Sequence, residues 1–227
     1  CFEAQALREA LKDLKPAPNG EYYLTDAIDY LVKAGRPIAS APTRSVGEFL
    51  GINTRADLAR VQTVMRSRIL EKFMLGGVTI IDPYTTYIDG SAQIGQDTVV
   101  YPHTVIEENV RIGRGCALGP FCRVGAQTTL ADGVVVGNFV ELADCTIGSG
   151  TRILQHSMVL HASIGKRVSV GAGTVMICSN GQSAAKSRSI RIGSGARIEG
   201  GSLFLSGASV KAGEVVEAGA RRGRSHG

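Results

Sequence analysis

The residues of this 227-residue chain best equipped for chemistry are five cysteines, Cys1, Cys116, Cys122, Cys145 and Cys178. Paired, they would staple a secreted fold; grouped, they would hold zinc; alone, they are thiols. An odd number with no C-x-x-C spacing argues against the first two, so reduced thiols are expected. Charge is the second handle. The 25 Lys and Arg against 20 Asp and Glu leave a net +5, which suits anionic partners, but the positive residues are scattered. The one cluster, Arg221-Arg222-Gly223-Arg224, has no interleaved aromatics on which bases could stack. A solvated basic tail over 221–227 is expected and a nucleic-acid partner is not.

These side chains need a framework. With 44% hydrophobic and 20% charged residues the chain falls in the globular range, which excludes disorder and collagen. No apolar run approaches the roughly 20 residues that span a bilayer, and no basic-then-apolar signal segment opens the chain, so a soluble, cytoplasmic protein is expected. The sequence starts at Cys1 directly in a helical pattern, as a cut inside a longer protein would.

Residues 1–52 alternate helix and strand signals in the manner of an α/β domain. Leu7, Leu11 and Leu14 share one face of a helix over 4–14, ended by Pro16 and Pro18-Asn19-Gly20. A second helix is expected from Thr25, its hydroxyl capping the first turn, with Ile28, Leu31 and Val32 buried and Gly35 as the stop. Short strands are expected over 37–41 and 46–52. This is too little apolar surface for an independent domain, so the segment reads as a fragment of one. One long helix follows over 53–77. Thr54 and Asp57 are spaced as a capping box, Leu58, Val61, Met65, Leu70 and Phe73 recur at helical intervals, and Gly76-Gly77 end it. Its apolar stripe must lie on a neighbour, so it reads as a connector.

The strongest pattern begins at Ile88. Steps of six reach Ile94, Val100, Ile106, Ile112, Leu118, Val124, Leu130, Val136 and Leu142, all aliphatic. After one dropped residue come Ile147, Ile153 and Val159, after another Ile164, Val170 and Met176, and after a loop Ile192, Ile198, Phe204, Val210 and Val216. Such hexads make a parallel β-helix, with one short strand and one corner per hexad and three hexads per coil. The aliphatic residue points inward, and the glycine that often follows, as at Gly95, Gly113 and Gly148, is expected to let the backbone turn. Two residues before each aliphatic position the side chain is small or β-branched, as at Thr98, Cys116, Cys122, Cys145 and Thr151. That fits a narrow triangular prism and gives three of the cysteines a packing role. The expected fold is mostly β, a left-handed parallel β-helix over 78–220. Its hand comes from recognition of the repeat, against the usual right-handed crossover rule.

The order of these parts, with "GEYYLTDAI", "GINTRADLARV", "RSRILEKFMLGGVTIIDP", "LGPFCRVG" and "VGNFVEL", resembles the bifunctional N-acetylglucosamine-1-phosphate uridylyltransferase/glucosamine-1-phosphate acetyltransferase family over residues 1–218. The resemblance implies that 1–52 is the C-terminal fragment of an α/β nucleotidyltransferase domain, which joins UTP to an amino-sugar phosphate with Mg2+. It implies Tyr23 and Thr25 beside the amino sugar and Asn53 at the magnesium ion, although Thr25 is equally a helix cap and Asn53 equally a turn residue. The family's glycine-rich phosphate loop and metal-sharing aspartate have no counterpart here, so this fragment alone is not expected to transfer uridylyl groups.

For the β-helix the resemblance implies acetyl-coenzyme A, a histidine base, and Arg, Lys, Tyr and Asn residues that hold the sugar phosphate. Aligned from "VGNFVE", the base falls on Gln155, the lysine on Ala143, the tyrosine on Met158 and one asparagine on Ser169. An Asn-Tyr pair falls on Cys178-Ser179, and the phosphate arginine on Gly125, with Arg123 two places away. Gln155 takes no proton at neutral pH, so the acetyltransferase site reads as degenerate and acetyl-coenzyme A loses its expected role. His156 and His161 are the substitutes that a slip in register would offer, though on extended chain His156 faces away from the side of Gln155. Three expectations follow: a homotrimeric sugar-nucleotide-forming enzyme on an inert prism, a non-catalytic trimeric scaffold, or a hexapeptide acyltransferase with altered substrate. The hexad reading predicts that Ile112→Asp abolishes soluble expression while Cys116→Ser leaves it intact. A soluble-fraction assay of the two variants checks this, and equal tolerance of both refutes the repeat.

Overall fold

The computed structural model describes residues 1–42, 49–178 and 189–223, and the chain divides into two compact units, 1–50 and 51–227. The first unit holds helices α1 (Ala4–Asp13) and α2 (Asp26–Lys33), and no strand among its described residues. The strand expected over 37–41 does not form, because no described neighbour offers an edge to pair its amides and carbonyls. Of the strand expected over 46–52, residues 46–48 lie outside the described residues and 49–52 are irregular. The helices bury Ala6, Ala10, Ala27 and Leu31 against one another. Ile28 and Val32, expected inside, are 41% and 56% exposed, because two short helices meeting through alanines cover only the stripe along their line of contact. Thr25 does not cap α2. Its φ and ψ of −61° and −27° are already helical, whereas a capping hydroxyl reaches back from extended backbone.

The second unit opens with α3 (Arg55–Leu75), which starts and stops where its end residues dictate. Thr54 Oγ1 accepts from the Asp57 amide at 3.1 Å, and the Thr54 amide donates to Asp57 Oδ2 at 3.0 Å, closing the capping box. At the other end Gly77 turns at φ +90°, and the amides of Gly77 and Val78 donate back to the carbonyls of Met74 and Phe73. Only the last part of the apolar stripe is used. Leu70 and Phe73 join the prism core, whereas Leu58 and Met65 stay exposed.

The described residues from Thr79 to Arg222 wind as a left-handed parallel β-helix of about seven turns. Its first sheet runs from Thr79–Ile80 to Val215–Val216, its second from Tyr87–Ile88 to Arg221–Arg222 and its third from Gln93–Ile94 to Ser209–Val210. The last strand takes in two residues of the expected tail, and Arg222 pairs with Glu214 at 2.6 Å; residues 224–227 lie outside the described residues. The hexad aliphatics line the prism, all buried except Ile94, which is half-buried. The small inward residues also work as hydrogen-bonding groups. Thr98 Oγ1 donates to the Gly113 carbonyl at 2.9 Å and accepts from the Cys116 amide at 3.1 Å, tying one coil to the next. Among the described residues no buried side-chain nitrogen or oxygen lacks a partner.

Glycine has a different task from the one expected. Gly113 and Gly148 are not at positive φ; a Cβ on either would lie 2.6 Å from a backbone nitrogen of the coil below, that of Asp132 or Lys166. Coils stacked about 4.8 Å apart leave no room for it. The left-handed corners fall elsewhere, and many are held by residues with side chains, including His103, Phe121, Phe139, Asp144, His156 and His161.

The capping box carries a pH signature. Hydrogen bonds, the Thr54 hydroxyl first, hold the Asp57 carboxyl below its ordinary value. A depressed folded-state value means that the contribution is complete above the unfolded value of about 3.9 and is lost as pH falls through the folded one. Protection of the Leu58 amide, which donates to the Thr54 carbonyl at 3.0 Å, should drop over that acidic range. Asp57→Asn should abolish the pH response in a hydrogen-exchange measurement, and an unchanged response overturns this account.

Candidate functional site

Because every coil repeats one backbone path, side chains at equivalent corners stand in columns. At the corner between the first and second sheets, His103, Phe121, Phe139 and His156 take φ values of 56°, 55°, 54° and 58°. Their rings stack with centroids 4.4, 5.2 and 5.0 Å apart and planes within 16°. Positive φ costs a residue with a Cβ about 1–2 kcal/mol, and each ring-on-ring contact returns about 0.5–1.5 kcal/mol. His156 is therefore the last ring of a ladder that the sequence reading missed. The available signal was the recurrence of a ring residue once per coil. Beside it, Gln155 is exposed, and its backbone carbonyl accepts from the Gly173 amide at 3.0 Å.

At the corner between the second and third sheets the chemistry is different. The pairings Leu142↔Val159 and Ala143↔Leu160 set Asp144 and His161 one above the other. His161 Nδ1 lies 2.7 Å from Asp144 Oδ2, and the side chains are 37% and 62% exposed, so a reactant can approach. An ionised carboxylate only accepts, so Nδ1 carries the hydrogen and Nε2 is left as the basic nitrogen. A histidine oriented through Nδ1 by a carboxylate is the arrangement a general base requires. The two hexads that carry Asp144 and His161 are each one residue short, which accounts for the slips between Leu142 and Ile147 and between Val159 and Ile164.

The other expected residues are less well placed for catalysis. Arg123 is held between Glu107 at 2.7 Å and Glu141 at 2.5 Å, and these carboxylates, Glu107 first, raise its proton affinity further. It is committed to the protein surface. Tyr23 donates from its hydroxyl to Glu21 at 3.0 Å and accepts from Asn19 at 2.7 Å, while Thr25 is exposed; both lie in the first unit. Asn53 is exposed in the second unit, next to the Thr54 cap. Asn53 can supply one of the six oxygen ligands that Mg2+ takes, and among the described residues no cluster of three or more His, Cys, Asp or Glu could hold a metal ion by itself. Cys116, Cys122 and Cys145 are buried, and desolvation pushes their thiols up, Cys122 to about 11 and Cys145 to about 12. Such thiols are inert.

Residues 91–126 match the bacterial transferase hexapeptide (six repeats) family. The bifunctional protein GlmU of Pelotomaculum thermopropionicum is 36% identical to this chain, over 77% of it and 46% of the relative. That of Shouchella clausii is 37% identical, over 80% and 48%. The chain is a hexapeptide-repeat homologue of GlmU. It spans about half the length of the curated relatives it matches. A solved UDP-N-acetylglucosamine acyltransferase of Francisella novicida covers 63% of this chain and 58% of its own at 16% identity and a TM-score of 0.42.

In this GlmU homologue the corner columns give a direct test of what holds a strained corner. Phe139→Ala loses two ring contacts and keeps the unfavourable φ, whereas Phe139→Gly loses the contacts but relaxes the backbone. In urea denaturation the alanine variant should be the less stable of the two, by about 1 kcal/mol. An alanine variant as stable as the parent overturns the compensation argument.

Proposed function

We propose that this GlmU homologue is the hexapeptide-repeat part of a cytoplasmic sugar-nucleotide-forming enzyme. The reaction resembles that of UDP-N-acetylglucosamine pyrophosphorylase, UTP plus N-acetylglucosamine-1-phosphate giving UDP-N-acetylglucosamine and pyrophosphate for cell-wall precursors. In this reading the β-helix no longer carries out the family's acetyl transfer to glucosamine-1-phosphate. The observation that carries it is Gln155, an exposed carboxamide at the expected base position inside an otherwise regular prism. Arg123, occupied by Glu107 and Glu141, supports the same reading. The prism then serves assembly as a homotrimer, and Phe121 and Phe139, 47% and 50% exposed along one corner, offer apolar surface to a second copy. The uridylyl transfer takes Mg2+, to which this chain offers Asn53 as one oxygen ligand beside groups that the described residues do not contain.

A second reading is favoured by the Asp144–His161 hydrogen bond: a hexapeptide acyltransferase of altered substrate, with acetyl-coenzyme A as donor and His161 Nε2 accepting the proton of an amine. Two assays on the full-length protein separate these readings, pyrophosphate release from UTP plus N-acetylglucosamine-1-phosphate and thiol release from acetyl-coenzyme A plus an amino-sugar phosphate. The first activity alone is expected. Thiol release that falls about tenfold or more in His161→Gln establishes the second reading. Loss of both activities together with absence of UTP binding points to a non-catalytic scaffold.

A further inference from the structure

The third sheet carries a polar cleft that neither reading above uses. In its first three coils the outward strand positions pair as Gln93↔Arg111 and Arg111↔Thr129, so an amide, a guanidinium and a hydroxyl stand in one column about 4.8 Å apart. Beside them runs the corner that Asp144 and His161 occupy in later coils. Asn109 and Gln127 hold it here, and their φ values of 57° and 60° compare with 45° and 53° for Asp144 and His161. Ser91 closes the end of the cleft in the first coil: its hydroxyl donates to Asp89 at 2.6 Å and accepts from the Asn109 amide at 3.1 Å. The two columns enclose an open cleft of about 460 Å³, lined by these six side chains and Val110.

The donors in this cleft are unspent. Among the described residues, the side chains of Gln93, Asn109, Arg111, Gln127 and Thr129 make no hydrogen bond or ion pair with the protein. Arg111 thus differs from Arg123 on the neighbouring face, which Glu107 and Glu141 hold. No carboxylate lines the cleft, and no aromatic ring offers a base a stacking surface. One cation without a counter-ion, set among amides and a hydroxyl, suits a small molecule that carries one anionic group and several hydroxyls.

We propose that the cleft binds a phosphorylated sugar, the Arg111 guanidinium taking the phosphate and the amides of Gln93, Asn109 and Gln127 taking the ring hydroxyls. A sugar hydroxyl both donates and accepts, and a carboxamide matches it on both counts. The site is separate from the Asp144–His161 pair. Three strand spacings of the third sheet, from Arg111 through Thr129 and Thr146 to Ser163, put about 14 Å between the coil of Arg111 and that of His161. That is more than one sugar phosphate spans. The inference therefore goes beyond both catalytic readings and stands whether or not either reaction occurs.

The test is isothermal titration calorimetry of the full chain with N-acetylglucosamine-1-phosphate, N-acetylglucosamine and inorganic phosphate. The sugar phosphate is expected to bind more tightly than either part alone. Arg111→Ala should weaken it about tenfold or more, as loss of a charge-assisted hydrogen bond does. Gln93→Ala should weaken the sugar phosphate and leave inorganic phosphate unchanged, and His161→Gln should change neither. Gln93 and Arg111 are exposed, and circular dichroism confirms that each variant retains the β-helix. Equal affinity in the parent and in Arg111→Ala overturns the proposal, and a loss in Tyr23→Phe then assigns the ligand to the first unit. Absence of binding overturns it as well. Inorganic phosphate or the neutral sugar binding as tightly as the sugar phosphate overturns the choice of ligand. A loss of binding in His161→Gln overturns the separate site and moves the ligand to the Asp144–His161 corner.

Discussion

Parallel strands of two or three residues, each coil resting about 4.8 Å from the next, are the constraint from which the rest of this structure follows. The spacing leaves no room for a Cβ at Gly113 or Gly148, where the backbone of the next coil already lies within 3 Å. It brings the hydroxyl of Thr98 into reach of the carbonyl of Gly113, so a side chain buried in an apolar prism satisfies its polar atom at the coil it touches. It also stacks the inward aliphatics into one continuous core, from Val78 to Val216. Each short strand contributes little alone, and the prism stands because every coil covers its neighbours.

The same repetition sorts surface chemistry into columns. A residue at a corner meets the residues at that corner in the coils on either side, whatever their distance along the chain. The stacked rings from His103 to His156 and the hydrogen-bonded Asp144 and His161 are two results of this rule, at adjacent corners of the prism. The two histidines are thereby given different parts. His156 closes a ring ladder with Phe139, while His161 is held through Nδ1 by the carboxylate of the adjacent coil. Gln155, where the family resemblance implies a base, faces solvent with a group that takes no proton.

The two units show how far local signals carry without such repetition. In the first, two short helices meet through three alanines and one leucine, and Ile28, Val32 and Ile38 remain exposed. Helical pattern sufficed to form α1 and α2, but the pattern named more core residues than a two-helix contact can cover. In the second, α3 ends in the prism and gives Leu70 and Phe73 to its core, with Ile69 packed against it. Leu58 and Met65, earlier in its stripe, have helical spacing but stay exposed.

The sequence by itself determined what depends on a period or on a few adjacent residues. The hexads named the inward column from Ile88 to Val216, Thr54 and Asp57 named the start of α3, and the small residues two places before each aliphatic named Cys116, Cys122 and Cys145 as packing residues. These rest on local geometry, which the one-dimensional pattern contains. Tertiary structure decided which side chains meet across coils. Asp144 meets His161 because the hexads after Leu142 and after Val159 are each one residue short, so that a dropped residue, read from the sequence as a slip, falls at the same corner of two successive coils and aligns a carboxylate with an imidazole. The glycines, the ring ladder and the clamped Arg123 belong to the same class. Each is set by the distance to another coil, and no residue carries that distance in its own neighbourhood along the chain.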